Sequence, residues 1–281
     1  MKSAAEWKAF YTRERASLGD VGLTQRLDRA PDVELRQGEA LIFPHTMMAA
    51  TGHLTAAVAR AVVRSGADEV LALGVLHGGR EQDAKRVKRA RDGDPIARGA
   101  LRRVHADTDA VCAEEFSLDG FAALLALESA RQGKKPPRVI ARYPFLVGED
   151  PARLPGLDDV IRLAERMPIV ATTDPMHHGA GYGTPEHARR GEHEETTMVF
   201  ARFSIQKQLD LLLGAKWAAF QQLADLVRSD FRDTGPVLAR ALRGGSARRG
   251  EILELHLVDY AEVLGAEPPT WVAGPLMRMT A

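Results

Sequence analysis

The chain has one cysteine among its 281 residues, at position 112. A disulfide framework within the chain is therefore excluded, and a reducing compartment such as the cytoplasm is its natural setting. Cys112 belongs to no motif and is expected to be a small buried residue. There is no apolar run long enough to cross a membrane, and the first residues lack the apolar stretch of a signal peptide. We expect a cytoplasmic protein with no membrane partner.

An excess of charge of either sign is also missing. Lys and Arg together number 38, as do Asp and Glu, so the formal net charge is zero. Nucleic-acid binding needs a clustered positive field, and this balance argues against nucleic acid as the main partner. No Gly-rich phosphate loop and no Gly-x-Ser-x-Gly elbow occurs, which disfavours nucleotide binding and serine acyl transfer. The expected partner is a small molecule, and nothing indicates an oligomeric state.

Short apolar runs alternate with amphipathic segments through much of the chain. The predicted strands cover residues 39–43, 69–76, 138–147 and 168–173, and the predicted helices cover residues 52–65, 116–132 and 157–166. The first strand, helix and strand form a predicted βαβ unit, in which the two strands are parallel. We expect one α/β domain over residues 1–281, with a central, mostly parallel sheet flanked by helices.

Three regions lie outside this predicted core. Residues 1–37 are expected to form a helical N-terminal extension. The highly charged residues 78–103 are expected to form a surface insertion that is mostly solvated, or alternatively a cover for an anionic substrate. A polar loop is predicted up to about residue 193. The remaining predicted elements are helices at residues 194–213, 216–229 and 236–242, and at least one strand within residues 251–277.

Reactive side chains follow three of the predicted strands. His45 follows the first, His77 the second and Asp174 the fourth, and His177 comes three residues later. The ligand crevice of a parallel α/β sheet lies outside the carboxyl ends of its strands. These four side chains are therefore expected to converge in one polar, metal-binding catalytic site. Asp and His side chains in such a place share a proton or hold a metal.

Each histidine also has a structural interpretation. Taken alone, His45 is slightly better explained as a turn cap after Pro44, and His77 is evenly balanced between the two interpretations. His178 is expected to shape the loop, and His53 to cap a helix. We place both beside the substrate rather than among the ligands. His256 has no partner nearby in sequence, which favours a structural role.

An ordered series of short motifs resembles the Memo-like proteins. The matching segments are Phe43-Pro44-His45-Thr46, residues 70–78, Glu115-Phe116-Ser117-Leu118-Asp119, Thr173-Asp174-Pro175-Met176-His177-His178-Gly179 and Trp271-Val272-Ala273-Gly274-Pro275-Leu276. They run from about residue 38 to the end of the chain. The resemblance implies the fold of class III extradiol ring-cleaving dioxygenases, which hold Fe(II) by two histidines and one carboxylate. It implies that His45 and His77 are metal ligands and that His177 and Asp174 are the remaining pocket residues, with His177 as acid or base.

The chain departs from the Memo-like pattern after the long helices. Where that family has a Cys-Gly-Arg segment, this chain reads Asp230-Phe231-Arg232-Asp233-Thr234-Gly235-Pro236. A carboxylate here would complete a two-His-one-carboxylate set, which leaves open positions on Fe(II). We prefer Asp233 over Asp230, since the residues after it align better with those after the cysteine. Asp174 and the carboxylates of residues 192–195 are further candidates for the third ligand. Phe116 replaces a histidine of the family, so the pocket chemistry is expected to differ from Memo.

The leading hypothesis is an Fe(II)-dependent oxygenase that uses O₂ and acts on a small metabolite such as a catechol or an aminophenol. Iron would bind His45, His77 and Asp233, while His177, oriented by Asp174, would move a proton. In a second hypothesis, Cu or Zn on the same residues supports oxidation or hydrolysis. A third is a Memo-like protein that binds a peptide or a metal without oxygenase activity.

Overall fold

Four strands form the centre of the sheet, and three of them are short aliphatic runs. The computed structural model describes residues 2–189, 194–242 and 249–280. In it the central strands are parallel and lie in the order β4, β2, β5, β1. Continuous aliphatic runs are typical of parallel strands that are covered on both faces. The predicted parallel core is thus confirmed. The strands are β1 (Glu39–Phe43), β2 (Glu69–Leu73), β4 (Arg138–Phe145) and β5 (Ile169–Thr172).

Antiparallel strands extend both edges of this core, so the whole sheet is mixed. At one edge β3 (Arg103–Ala106) pairs with β4. At the other, β8 (Thr270–Thr280) pairs with β1 and also with β6 (Met176–Gly179) and β7 (Arg249–Asp259). The prediction of a polar loop is wrong for residues 176–179, which form β6. Its four residues, including two histidines, carry no hydrophobic alternation, and pairing with β8 is what makes them a strand.

Helices cover both faces of the sheet. Strand residues alternate between two hydrophobic clusters, one with α1, α2 and α5 and the other with α6, α7, α8 and α9. None of the described helices is long and apolar enough to span a membrane. The helices are α1 (Ala4–Arg29), α2 (Met48–Ser65), α3 (Glu81–Arg91), α4 (Pro95–Leu101), α5 (Asp119–Arg131), α6 (Leu157–Ala164), α7 (Glu194–Leu213), α8 (Trp217–Leu226), α9 (Phe231–Ala241) and α10 (Ala261–Leu264).

Several predicted element boundaries change in the structure. Helix α2 starts at Met48, four residues earlier than predicted, and α9 starts at Phe231 instead of residue 236. The hydroxyl of Ser117, before α5, accepts the amide of Val75 and donates to its carbonyl, which ties α5 to the loop after β2. The charged residues 78–103 contain α3 and α4, whose apolar sides are buried, so this region is more than a solvated insertion.

The core lies directly beneath the loop that carries His45. Phe121 of α5 stacks on Phe43 at the end of β1, with the ring centroids 5.0 Å apart, and is 1% exposed. We expect Phe121→Ala to lower the free energy of unfolding by about 3–5 kcal/mol, because it leaves a cavity that the sheet cannot close. Urea denaturation measures this loss.

Phe203→Ala on α7 is the matched control, because Phe203 is 69% exposed. Its cost is expected to stay within about 0.5 kcal/mol, as for most surface substitutions. Equal losses for the two variants would contradict the assignment of Phe121 to the core.

Candidate functional site

The loops after β1, β2 and β5 meet the turn after α8 at the carboxyl edge of the sheet. His45, His77, Asp174, Asp230 and, from β6, His177 all line one pocket of about 400 Å³. The predicted convergence of reactive strand ends is therefore confirmed. It follows from the parallel arrangement of β1, β5 and β2, which places their carboxyl ends side by side.

The orientation of His45 is set by the strand next to it. Its Nδ1 lies 3.2 Å from the hydroxyl oxygen of Thr172, and that hydroxyl donates its own hydrogen to the carbonyl of Phe43 at 3.0 Å. The hydroxyl oxygen must therefore accept the Nδ1 hydrogen of His45. In the neutral ring Nε2 is then unprotonated, and it faces the pocket. It lies 3.6 Å from Asp174 Oδ2 and 3.5 Å from Asp230 Oδ2.

His77 is held by a buried carboxylate that sequence analysis left without a role. Glu115 lies 2.9 Å from Nδ1 of His77 and also accepts the backbone amides of His77, Phe116 and Ser117. Burial tends to raise the pKa of Glu115, but its interactions with His77 and the amides outweigh burial and lower it. The ionised carboxylate takes the Nδ1 hydrogen, so Nε2 of His77 is available to a ligand.

His177 shows the same arrangement with a different acceptor. Its Nδ1 lies 2.7 Å from the carbonyl oxygen of Arg228, which can only accept, and its Nε2 lies 3.7 Å from Asp230 Oδ2. The prediction that Asp174 orients His177 is wrong. Strand β6 pairs with β8 rather than continuing beside β5, and this carries His177 to the turn after α8. Asp174 instead accepts the backbone amide of His45 at 3.2 Å.

The carboxylate that joins the two histidines is Asp230, not Asp233. One donor atom each of His45, His77 and Asp230 lies within 4.8 Å of the others. Asp230 is held there by its backbone amide, which donates to the carbonyl of Asp174 at 3.1 Å. Asp233 lies almost one helical turn further along α9 and accepts the amide of Val147 at 3.0 Å. The preference for Asp233 is corrected on this geometry.

No local signal in the sequence distinguished Asp230 from Asp233. Asp230 directly precedes α9, but its side chain makes no capping hydrogen bond, and the amide of Phe231 donates to the hydroxyl of Ser229 instead. The predicted start of that helix at residue 236 is five residues late, so the position of Asp230 at the helix end was not recognised. Glu194 and Glu195, which were also candidate ligands, are exposed at the start of α7 and join no metal-ligating group in the described part of the chain. Glu192 lies outside the described residues.

The imidazoles and carboxylates of the site stabilise each other's charges. Burial tends to lower the pKa of His45, but Asp174 and Asp230 outweigh it and raise the pKa to about 9. Burial tends to raise the pKa of Asp230, but His177, His45 and His77 hold it well below its usual range. A proton on His45 thus sits between two carboxylates. A divalent metal ion suits the same donors, since imidazole nitrogen and carboxylate oxygen are ligands of Fe, Cu and Zn.

Aromatic rings form much of the remaining wall, which sequence analysis did not assign to the site. Phe116 stacks on His77 with centroids 4.4 Å apart, and Tyr182 contacts His177 edge-on at 4.7 Å. Phe116 stands where the resemblance to the Memo-like segment would place a histidine, and its ring covers His77 instead of adding a third imidazole. The aromatic residues of the pocket are Trp7, Tyr11, Phe116, Tyr182 and Tyr260.

Two residues that we predicted beside the substrate lie elsewhere. His178 follows His177 on β6, and successive strand residues point to opposite faces. It is buried, with its ring 5.9 Å from that of Phe200 on α7. His53 of α2 contacts Glu254 of β7 at 3.1 Å and does not line the pocket. Both substrate assignments are therefore corrected.

Two further predictions concern Cys112 and the charged residues 78–103. Cys112 is buried, as expected, and burial raises the pKa of its thiol to about 12. Arg91, from the charged residues 78–103, reaches the pocket and donates to the carbonyl of Leu76 at 2.7 Å. Arg91 therefore lies at the pocket, as expected if residues 78–103 cover a substrate there.

Comparison with known proteins adds nothing to this geometry: no family model matches the chain, and no curated protein matches it.

The raised pKa of His45 predicts a pH-dependent stability of the metal-free protein. The folded-state pKa of about 9 exceeds the ordinary value of 6.5. Protonated His45 therefore stabilises the fold fully below pH 6.5, and this contribution is lost as the pH rises through 9. We expect the melting temperature of chelator-treated protein to fall over this range.

In His45→Gln, which cannot be protonated, the fall is expected to be smaller. His187→Gln is the control, because His187 is exposed and lies outside the pocket. It should keep the wild-type profile. An unchanged pH profile in His45→Gln would contradict the raised pKa of His45.

Proposed function

We propose that the protein is a non-haem Fe(II)-dependent oxygenase that acts on a small aromatic metabolite such as a catechol or an aminophenol. The observation that carries the proposal is the group formed by His45, His77 and Asp230, two imidazoles and one carboxylate within 4.8 Å. These three side chains would hold Fe(II), and a metal held by two histidines and one carboxylate would supply the activation of O₂ beside the substrate.

The hydrogen bonds behind the ligands support this assignment. Metal-binding histidines usually donate their second ring N–H to an oxygen of the protein, which sets the tautomer and the ring orientation. His45 and His77 both do so, through Thr172 and Glu115. Because these acceptors are part of the fold, the two Nε2 atoms are positioned before a metal arrives.

His177 has the geometry of an acid-base residue. Its Nδ1 hydrogen is donated to Arg228, so Nε2 of the neutral ring is ready to accept a proton from a substrate hydroxyl. It groups with Asp174 and with Asp230, the carboxylate that it shares with the proposed ligand set, and not with His45 and His77. Asp174 accepts the backbone amide of His45, and burial raises the pKa of its carboxyl although the imidazoles of His45 and His177 lie beside it.

The pocket fits a flat, ring-shaped substrate. Its volume of about 400 Å³ lies within the usual range for small-molecule sites, roughly 300–1,000 Å³. Aromatic rings favour offset-stacked and edge-on contacts with one another. Trp7, Tyr11 and Tyr182 surround the space in front of the proposed ligands. A catechol or an aminophenol would occupy part of this space and present two adjacent donor atoms.

We further infer that the protein is Memo-like and related to class III extradiol dioxygenases. The support is the ordered set of sequence motifs together with the α/β sheet, in which histidines follow β1 and β2 at one edge. Asp230 takes the carboxylate position in this proposal, and the cysteine of the Memo-like segment has no counterpart in the chain's only cysteine, Cys112.

Metal binding tests the ligand assignment. We expect Asp230→Asn to weaken Fe(II) binding by about 10- to 100-fold or more, because an amide is a poorer ligand than a carboxylate and perturbing a metal site typically costs this much. Asp233→Asn is the matched control and should bind Fe(II) as the wild type does. Anaerobic equilibrium dialysis with iron analysis gives both affinities. Weaker binding by Asp233→Asn than by Asp230→Asn would reverse the assignment.

Oxygen uptake tests the reaction. Anaerobically purified protein, loaded with Fe(II), is mixed with oxygenated buffer and a panel of catechols and aminophenols. We expect one or more of them to drive stoichiometric oxygen consumption. His177→Gln should keep its iron but lose about 10²- to 10⁴-fold in kcat, the usual contribution of a positioned acid-base residue.

Each outcome separates the remaining hypotheses. Iron binding without oxygen uptake by any compound would favour a Memo-like metal-binding protein. Loss of iron in His177→Gln would make His177 a ligand and remove its acid-base role. Binding of Cu or Zn but not Fe(II) would overturn the oxygenase proposal and favour an oxidase or a hydrolase on the same residues.

A further inference from the structure

A second group of metal-ligating side chains lies between α2 and β7. It consists of His53, Glu254 and His256, none of which lines the pocket described above. From the sequence, His53 was expected to lie beside the substrate and His256 to have a structural role. The two histidines are 203 positions apart in the chain and meet because α2 packs beside β7.

Both imidazoles point the same nitrogen at the same oxygen. Nε2 of His53 lies 3.1 Å from Oε1 of Glu254, and Nε2 of His256 lies 2.8 Å from that oxygen. The ring centroids are 5.0 Å apart and the rings are nearly perpendicular. Two nitrogens and one oxygen therefore meet within 4.8 Å, which is the convergence that a metal ion requires.

The three side chains stand on regular elements. Glu254 and His256 are alternate residues of β7, so they project from the same face of the strand. They pair with Leu276 and Gly274 of β8, after a register shift between Ile252 and Glu254. His53 lies in the interior of α2. Ligands on helices and strands are held more precisely than ligands on loops.

Charge and exposure also suit a cation. Glu254 places a carboxylate between the two imidazoles, and both of them contact the same oxygen. The side chains of His53, Glu254 and His256 are 19, 36 and 41% exposed. Solvent can therefore reach the group and supply water as a further ligand.

We infer that His53, Glu254 and His256 form a second metal site, which binds one divalent ion of the zinc class with water as the remaining ligand. Two histidines and one glutamate are a known protein donor set for Zn²⁺. Mg²⁺ and Ca²⁺ prefer oxygen donors and are excluded by the two imidazoles. The bound ion ties β7 to α2, the helix that begins three residues after His45.

The test isolates this group from the first one. The double variant His77→Ala/Asp230→Ala breaks both metal-ligating groups of the pocket, which share Asp230, and leaves the second group intact. Titration with Co²⁺, followed by its visible absorption, and equilibrium dialysis with Zn²⁺ are each expected to give one bound ion per chain. Adding His53→Ala or His256→Ala should weaken binding at least about 10-fold. His187→Ala, on an exposed histidine, should leave it unchanged.

Thermal unfolding gives a readout that does not depend on spectroscopy. Zn²⁺ should raise the melting temperature of the double variant, because an ion that binds only the folded chain stabilises it. The shift should disappear when His53→Ala is added.

The same site can be tested without the double variant. The wild type should bind one more Zn²⁺ than the single variants His53→Ala and His256→Ala. An unchanged stoichiometry in both single variants would overturn the inference and leave only hydrogen bonds from the two imidazoles to Glu254. This second site is independent of the proposed function, since neither oxygen uptake nor iron is measured.

Discussion

Each histidine of the pocket gives its Nδ1 hydrogen to an oxygen of the surrounding fold, and the rest of the site depends on this. The acceptors are Thr172 on β5 for His45, Glu115 before α5 for His77, and the carbonyl of Arg228 for His177. A strand, a buried carboxylate and a turn thus impose one tautomer on three rings. Little further conformational freedom is lost in forming these hydrogen bonds, because the sheet and its helices already order the acceptors.

Charge balance explains why so many ionisable groups tolerate burial together. A buried carboxylate is costly unless a partner compensates for the lost water. Asp174 and Asp230 face imidazoles at 3.5–3.7 Å, and Glu115 accepts four N–H groups. The electrostatics of the pocket and its proposed affinity for a cation therefore have one origin. Removing a single partner would leave an uncompensated charge, which is more damaging than removing a matched pair.

The sequence was sufficient for the parts of the site that local pattern determines. Aliphatic runs located β1, β2 and β5, and the rule for parallel sheets placed His45, His77 and Asp174 together. Contacts between distant segments were not visible in this way. His177 depends on the pairing of β6 with β8, and Asp230 on a helix start that hydrophobic periodicity placed five residues late. His53 was wrongly placed beside the substrate, because its partner Glu254 is 201 positions away in the chain.

The short turn at residues 228–230 serves two residues of the pocket at once. Its first carbonyl orients the ring of His177, and its last side chain is the proposed metal ligand Asp230. Three consecutive residues thus position both the proposed metal ligand and the proposed acid-base residue. A displacement of this turn would move the Asp230 carboxylate and the ring of His177 together.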